Sequence, residues 1–329
     1  MIKHLTGRRL LCLVFAASLL VVTVGTPTFA AKKYLKVGGG TVGGSAYILA
    51  SGIAKLIEKY IPDVSATAEP SSVVANVPYV NNKEMDIAFS QLQAIQWGYK
   101  GEKYMAKFGK CSNVRGLIPG PISPTYWIVL PNSPIKSLYD IKGKTISMGG
   151  VEASAEAIEE LLKLYGLQLG KDYQGKSMGH AAAVEALKDG NLDLAIPFGA
   201  IPSPAAMDAV VTKNAKILPI EMSKLQELAS KYPFFAPIII PGGTFPGHPN
   251  DIPTLTVSDG LIVHKDMDEG LAYNITKVLI EHVDELIEIH PGAAEYKWEV
   301  VSEAIKAKKF MDVPLHPGAE RYYRERGIL

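Results

Sequence analysis

Two stretches of this chain follow one plan, and that repetition restricts the fold more than any other feature. In NKEMDIAFSQ (82–91) and DGNLDLAIPFG (189–199) a polar turn leads to an aspartate, Asp86 or Asp193, and then to a run of apolar residues. Upstream of each lies a short run ending in glycines, KYLKVGGG (33–40) or GKTISMGG (143–150), followed by a helical pattern. In AYILASGIAKLIEKY, Leu49, Ile53, Leu56, Ile57 and Tyr60 fall on one helical face. In ASAEAIEELLKLYG, Ile158, Leu161, Leu162 and Tyr165 do the same, with Gly166 as the expected C-cap. Strand, helix and strand joined by short turns require a parallel sheet, because parallel neighbours need a crossover and the helix supplies it.

Two such units predict an α/β chain of two lobes, each a doubly wound sheet. The extended runs PTYWIVL (124–130) and IPTLTVSDGLIVH (252–264) serve as the crossovers between them. The expected lobe I is then 31–120 with 255–329, and lobe II is 121–254. VVANVPYVNNKE reads as a short helix broken near Pro78, and DEGLAYNITKVLIEHVDELIEIH as one long amphipathic helix. HPGAERYYRERGIL reads as a last helix, with Pro317 early in it and Gly327 closing it. Ligands of open parallel sheets sit at the carboxyl ends of the strands. Here those ends are the glycine loops and the FSQ and PFG segments, expected to face one another across a cleft.

Within VGGGTVGG, Gly38, Gly40 and Gly43 satisfy the G-x-G-x-x-G of a dinucleotide-binding turn. The pattern also wants an acidic residue about 20 positions on, closing the second strand, and Glu69 falls too late. The first residues weigh against it too. Lys3, Arg8 and Arg9, the uncharged run LLCLVFAASLLVV and the small residues of TPTFA read as a cleaved export signal, residues 1–30, cut after Ala30. A diffusible nicotinamide cofactor is scarce outside the cytoplasm, so no cofactor is expected. Losing residues 1–30 takes three of the 34 basic residues and none of the 33 acidic ones, which leaves a slightly acidic chain. That balance excludes a nucleic-acid partner, which needs clustered positive charge. One cysteine remains, Cys111, so no internal disulfide is possible. No second apolar run approaches a membrane span, and a soluble, monomeric, periplasmic protein is expected.

The chain resembles the TAXI-type extracytoplasmic solute-binding proteins of tripartite ATP-independent periplasmic (TRAP) transporters. The resemblance covers nearly all of the mature chain and is carried by GGGTVGGSAYILASGIAKLI, VVANVPYVNNKEMDIAFSQ, YPFFAPIIIPGGTFPG and LHPGAERYYRERG. It implies a type II periplasmic-binding-protein fold, a small organic-acid or amino-acid solute, and delivery to the TRAP integral-membrane subunits. Position against the family pattern assigns Gly40, Thr41, Gly43, Gly44, Ser45 and Tyr47 to the first ligand loop. Ser71, Ser72 and Gln91 extend that set, Tyr126 and Trp127 supply an aromatic wall with one ring turned to the core, and Ser154, Phe198 and Gly199 come from lobe II. The physics agrees: glycines let backbone approach a ligand, and a helix start offers free N–H groups to a carboxylate. Ser45, Ser71 and Ser72 serve equally well as plain helix caps. Departures from the pattern bear on the ligand. Glu152 stands at a position usually without charge, SSVV (71–74) replaces a more glycine-rich version, and Gln93 replaces a common acid.

Other chemistry is thinly represented. The seven histidines are scattered, His290 and His316 sit at turns, and no HExxH or CxxC spacing occurs, so no metal is expected. Ser133-Pro-Ile-Lys136 fits S-x-x-K but lies in a polar turn without the K-T-G that should follow. An exported hydrolase using Ser133 and Lys136, or a ligand sensor on the same fold, are the alternatives to a transport receptor without catalysis.

Overall fold

The computed structural model describes residues 32–40, 42 and 45–329; the expected export signal, Thr41, Gly43 and Gly44 lie outside them. The first repeat unit runs β1 (Lys33–Gly38), α1 (Ser45–Tyr60), β2 (Val64–Glu69), α2 (Asn76–Asn81), β3 (Ile87–Gln91) and α3 (Leu92–Lys100). A 3-10 turn over Lys103–Phe108 leads to β4 (Val114–Pro124) and β5 (Ile128–Val129). The second unit runs β6 (Thr145–Ser147), α4 (Glu152–Lys163), β7 (Gln174–Lys176), α5 (His180–Lys188), the extended segment 194–196, and α6 (Pro204–Lys213). Then come β8 (Lys216–Ile217), α7 (Met222–Lys231), β9 (Phe235–Ile240), β10 (Ile252–His264), α8 (Glu269–Glu281), α9 (Val283–Ile289), α10 (Trp298–Lys306) and α11 (Pro317–Glu325).

The two units build sheets of one order. The first reads β2-β1-β3-β10-β4, with β1 parallel to β2 and β3, β10 antiparallel to its neighbours, and β9 added along the start of β10. The second reads β7, β6, segment 194–196, β5, β8, with the first contacts parallel and β5 antiparallel to both Ala195 and β8. The correspondence extends to single bonds. The Asp86 carboxylate accepts the Lys36 N–H at 2.8 Å while the Asp86 N–H donates to the Lys36 carbonyl at 3.2 Å. Asp193 does the same to Thr145, at 2.8 and 2.9 Å. Each aspartate thus ties the third strand of its unit to the first, which is why both stand just before a buried run.

Side chains alternate across each sheet, and the layers follow. Leu35, Val37, Ile87, Phe89, Leu261 and Val263 pack against α1, α8 and α11; Ala88 and Ile262 point the other way, to α2 and α3. In the second sheet Ile146, Leu194 and Ile196 face α4, whereas Ile128, Ala195 and Ile217 face α5 and α6. One continuous buried cluster contains both the α2–α3 layer and the α4–α7 layer, so the two sheets share a middle slab of helices. Trp97 of α3 sits within it, 3 % exposed, with edge contacts to Tyr104 and to Tyr232 and Phe234, from the turn between α7 and β9, at 5.5–6.3 Å. Each such aromatic pair adds about 0.5–1.5 kcal/mol beyond its burial. Polar ties cross the same seam: Lys107 to Glu152 at 2.7 Å, and Lys103 to Glu156 and Glu160 at 2.7 and 2.8 Å.

Some expectations require correction. The helix expected over 268–290 is two, because His282, at φ −116 ψ 28, breaks the run between α8 and α9 while stacking on Tyr60 at 3.6 Å. Pro78 does not break α2: it is the third helical residue, where no intrahelical N–H bond is owed. The first crossing strand starts earlier than PTYWIVL, at Val114, whereas β10 occupies the whole of IPTLTVSDGLIVH. Helix α4 ends at Lys163 with Leu164 as its C-cap, and Gly166 closes the following turn at φ +73.

Candidate functional site

The strand ends of the first unit converge on one carbonyl. Gly39 C=O accepts from Ser71 Oγ and from Asn76 Nδ2, both at 2.9 Å, and Asn76 Nδ2 also donates to Phe89 C=O at 2.7 Å. The Gly39 N–H donates to Glu69 C=O, and the Ser71 N–H to Gly40 C=O, each at 3.0 Å. These bonds bring the ends of β1, β2 and β3 into one patch. The glycine run has a packing reason as well. A Cβ on Gly39 would stand 2.7 Å from the Tyr47 Cα of α1, whereas a Cβ on Gly40 would meet nothing closer than Ala46 Cβ at 3.5 Å. Gly39 therefore lets α1 approach the sheet, and Gly40 is not held to glycine by contact.

Around this patch the expected ligand residues have definite places. Gly40 is buried; Ser45 is exposed and is the first residue of α1 rather than the residue before it. Tyr47 is half-buried, and its carbonyl accepts from Ser51 Oγ. Ser71 spends its hydroxyl on Gly39, while Ser72 is exposed. Gln91 turns the chain from β3 into α3, its Oε1 accepting from Gln93 Nε2 at 3.1 Å. Gln93, fully buried, also donates to the Ala153 carbonyl of the other unit at 3.3 Å.

The second unit repeats the arrangement. Gly149 C=O accepts from Ser177 Oγ at 3.2 Å and from the Met178 N–H at 2.9 Å, as Gly39 does from Ser71. Ser154 is buried beneath Gly149, whose φ of +76 and 2.4 Å Cβ clearance exclude a side chain. Glu152 pairs with Lys107, which with its hydrogen bond holds the carboxyl below the usual range. Phe198 is bridged to Thr125, and the Gly199 N–H donates to Pro124 C=O at 3.1 Å. Tyr126 and Trp127 present no open ring face: each is 0 % exposed, in separate clusters. Tyr126 OH donates to Ala200 C=O at 2.6 Å and so ties the crossing segment to the 197–200 loop, while Trp127 Nε1 donates to Thr125 Oγ1 at 2.9 Å within that segment.

A cavity of about 450 Å³ opens where segment 194–196 ends, between the starts of α5 and α6; Phe198, Gly199, His180 and Ser203 are among its lining residues. That volume lies within the range of about 300–1,000 Å³ found for small-molecule sites. His180 carries no spacing signal in the sequence and was not among the expected residues. The fold places its Nδ1 3.2 Å from the Phe198 N–H, which it accepts; the residue as a whole is exposed, and the partial desolvation of its ring lowers the pKa.

Elsewhere the polar groups are structural. Ser133 Oγ accepts the Ile135 N–H, and Lys136 leads into a Ser137–Asp140 capping box. His290 and His316 are N-caps, each accepting a glycine N–H. Cys111 is buried, which raises its thiol pKa. Among the described residues no group of three His, Cys, Asp or Glu could hold a metal, and no helix is long and apolar enough to cross a membrane.

The profile of the NMT1-like family matches residues 37–327. Among solved structures, a putative sulfonate ABC transporter's periplasmic sulfonate-binding protein SsuA, from Methylobacillus flagellatus KT, is 15% identical. The match covers 90% of this chain and 85% of that one with a TM-score of 0.52. XAC2383 from Xanthomonas citri, bound to ATP, is 14% identical over 90% of this chain and 97% of its own, with a TM-score of 0.51. At these identities the likeness is one of fold, the two-lobed α/β architecture of periplasmic binding proteins.

Proposed function

The chain belongs to the NMT1-like family, and from that premise we propose that it is an extracytoplasmic solute receptor that holds a small organic acid or amino-acid-like molecule between its two lobes and releases it unaltered. The observation that supports the reading is the 450 Å³ cavity at the strand end of the second unit, bounded by Phe198 and Gly199 and lined by residues of that unit, His180 to Asp208, with the first lobe's contribution part of the proposal. The lobes are 31–120 with 255–329, and 121–254. The ligand set is Gly40, Thr41, Gly43, Gly44, Ser45, Tyr47, Ser71, Ser72 and Gln91 from the first, with Ser154, Phe198 and Gly199 from the second; Tyr126 and Trp127, fully buried, back the site and do not line it. Micromolar affinity needs about −8 kcal/mol. Net hydrogen bonds at about 0.5–1.5 kcal/mol each must therefore converge from both lobes.

The protein works in the periplasm, after export directed by residues 1–30. Its partner is the integral-membrane subunit pair of a TRAP transporter. The SsuA likeness is to a protein of an ABC system, but the four segments that resemble TAXI receptors favour the TRAP partner. A thermal-shift screen over carboxylates, sulfonates and amino acids tests the proposal, since stabilisation follows ligand concentration over Kd. A bound solute recovered chemically unchanged supports it. Turnover of the solute, or a screen in which no member raises Tm, sinks it.

A further inference from the structure

We infer that His180 reads the solute through a neutral Nε2–H, and that the half of the cleft around it takes an apolar body bearing a hydrogen-bond acceptor; the inference rests on the receptor reading above. The walls of the 450 Å³ cavity are largely apolar: Ala181 and Val184 from α5, Phe198, and Pro204 and Ala205 from α6. Its charged lining is Glu185 and Asp208, and both are held by Lys188, at 2.9 and 3.0 Å. No guanidinium lines it, because the arginines of residues 32–329 are Arg115 on β4 and Arg321, Arg324 and Arg326 at α11. Such a surface has no strong grip for a second anion.

The ring's protonation follows from its bonds. Nδ1 accepts the Phe198 N–H and so carries no proton, and desolvation favours the neutral ring. The proton is therefore on Nε2. The His180 ring leans on Phe198, with centroids 5.6 Å apart and planes at 32°, which fixes its direction. A carbonyl, ether or acid oxygen on an apolar body pairs with that donor. An ammonium group brings donors only and leaves Nε2–H unpaired. Protonating the ring puts a proton on Nδ1 and expels the Phe198 N–H, loosening the 198–199 loop. The charged groups about the ring are Glu185 and Lys188 on α5 and Asp208 on α6. Affinity is thus level above the pKa of the ring and falls as pH drops through it.

The test is calorimetric titration of the purified protein with straight-chain C4–C8 carboxylates, their oxo derivatives and their ω-amino derivatives. Affinity should rise about fourfold per methylene until the cavity fills, and the ω-amino compounds should bind more weakly. H180N keeps an acceptor for the Phe198 N–H, but its amide donor falls short of the Nε2 position, and it should bind about tenfold more weakly. H180Q restores a donor near the Nε2 position; it should bind within about threefold of wild type and lose the fall at acid pH. Ligand-free Tm values near wild type establish that each variant folds; should one not fold, the wild-type chain-length and pH profiles decide. Equal affinities for H180N and H180Q, a flat chain-length series, or a preference for the ω-amino compounds overturns the inference alone. Silence of these probes together with sulfonates and amino acids overturns the receptor reading with it.

Discussion

Replacing Glu160 with glutamine tests how firmly the two units are joined. Its side chain is 3 % exposed and takes three ammonium groups: Lys103 at 2.8 Å from the 3-10 turn after α3, Lys163 at 2.9 Å and Lys231 at 3.3 Å. Burial alone would raise this carboxyl, but the hydrogen bonds from Lys103 and Lys163 outweigh it and bring the pKa from 4.5 to about 2. At about 1.36 kcal/mol per unit the shift sets a ceiling near 3 kcal/mol. The lysines are 33, 47 and 58% exposed, and solvent screening brings the expected loss to about 2 kcal/mol. In a chain of this size that is roughly 3 °C in Tm. A depressed folded-state pKa gives stability that is present above the unfolded value and lost as pH falls through the folded one. The Tm deficit of E160Q should therefore be full at pH 7 and shrink between about pH 4.5 and 2. A double-mutant cycle with K103M should show less than additive loss. No deficit at pH 7, a deficit unchanged down to pH 3, or strict additivity with K103M would refute the reasoning.

Other substitutions have expected outcomes by chemical denaturation. G39A should cost more than about 2 kcal/mol, since its methyl meets the backbone of α1, while G40A should stay within about 1 kcal/mol. D86A and D193A should each cost about 1–2 kcal/mol and match one another within error, because each frees the same pair of strands. The Asp259 carboxyl is pushed up to about 7 by burial, so its charged form destabilises the fold. D259N should raise Tm at pH 8, with a gain that shrinks as pH falls below 7 and vanishes below about 4.

Legibility from sequence followed the geometry of each element. The half-buried elements with a single apolar face, α1 and α4, show it in their spacing. The repeat was readable because Asp86 and Asp193 each make the same pair of bonds and so recur in the same place. Helix α3 was not readable: Leu92 to Gly98 are all buried, and a helix covered on every side has no polar face to mark its period. It lies in the slab between the sheets, a position known only once both sheets exist. Segment 194–196 reads as a full strand but makes only bridges, its neighbours being short. His180 was invisible for another reason. Its acceptor role depends on Phe198, eighteen positions away, and nothing local distinguishes it from a helix-start histidine. Tyr126 and Trp127 look like a ligand wall in one dimension, and only the folded layers commit both rings to packing.

The slab common to both sheets also governs how the chain can be divided. Cutting between residues 120 and 121 would strip each fragment of the other's apolar cover, laying open Trp97 on one and Tyr232 and Phe234 on the other. Neither piece is then a self-sufficient domain, and heating the intact protein should give one calorimetric peak instead of two.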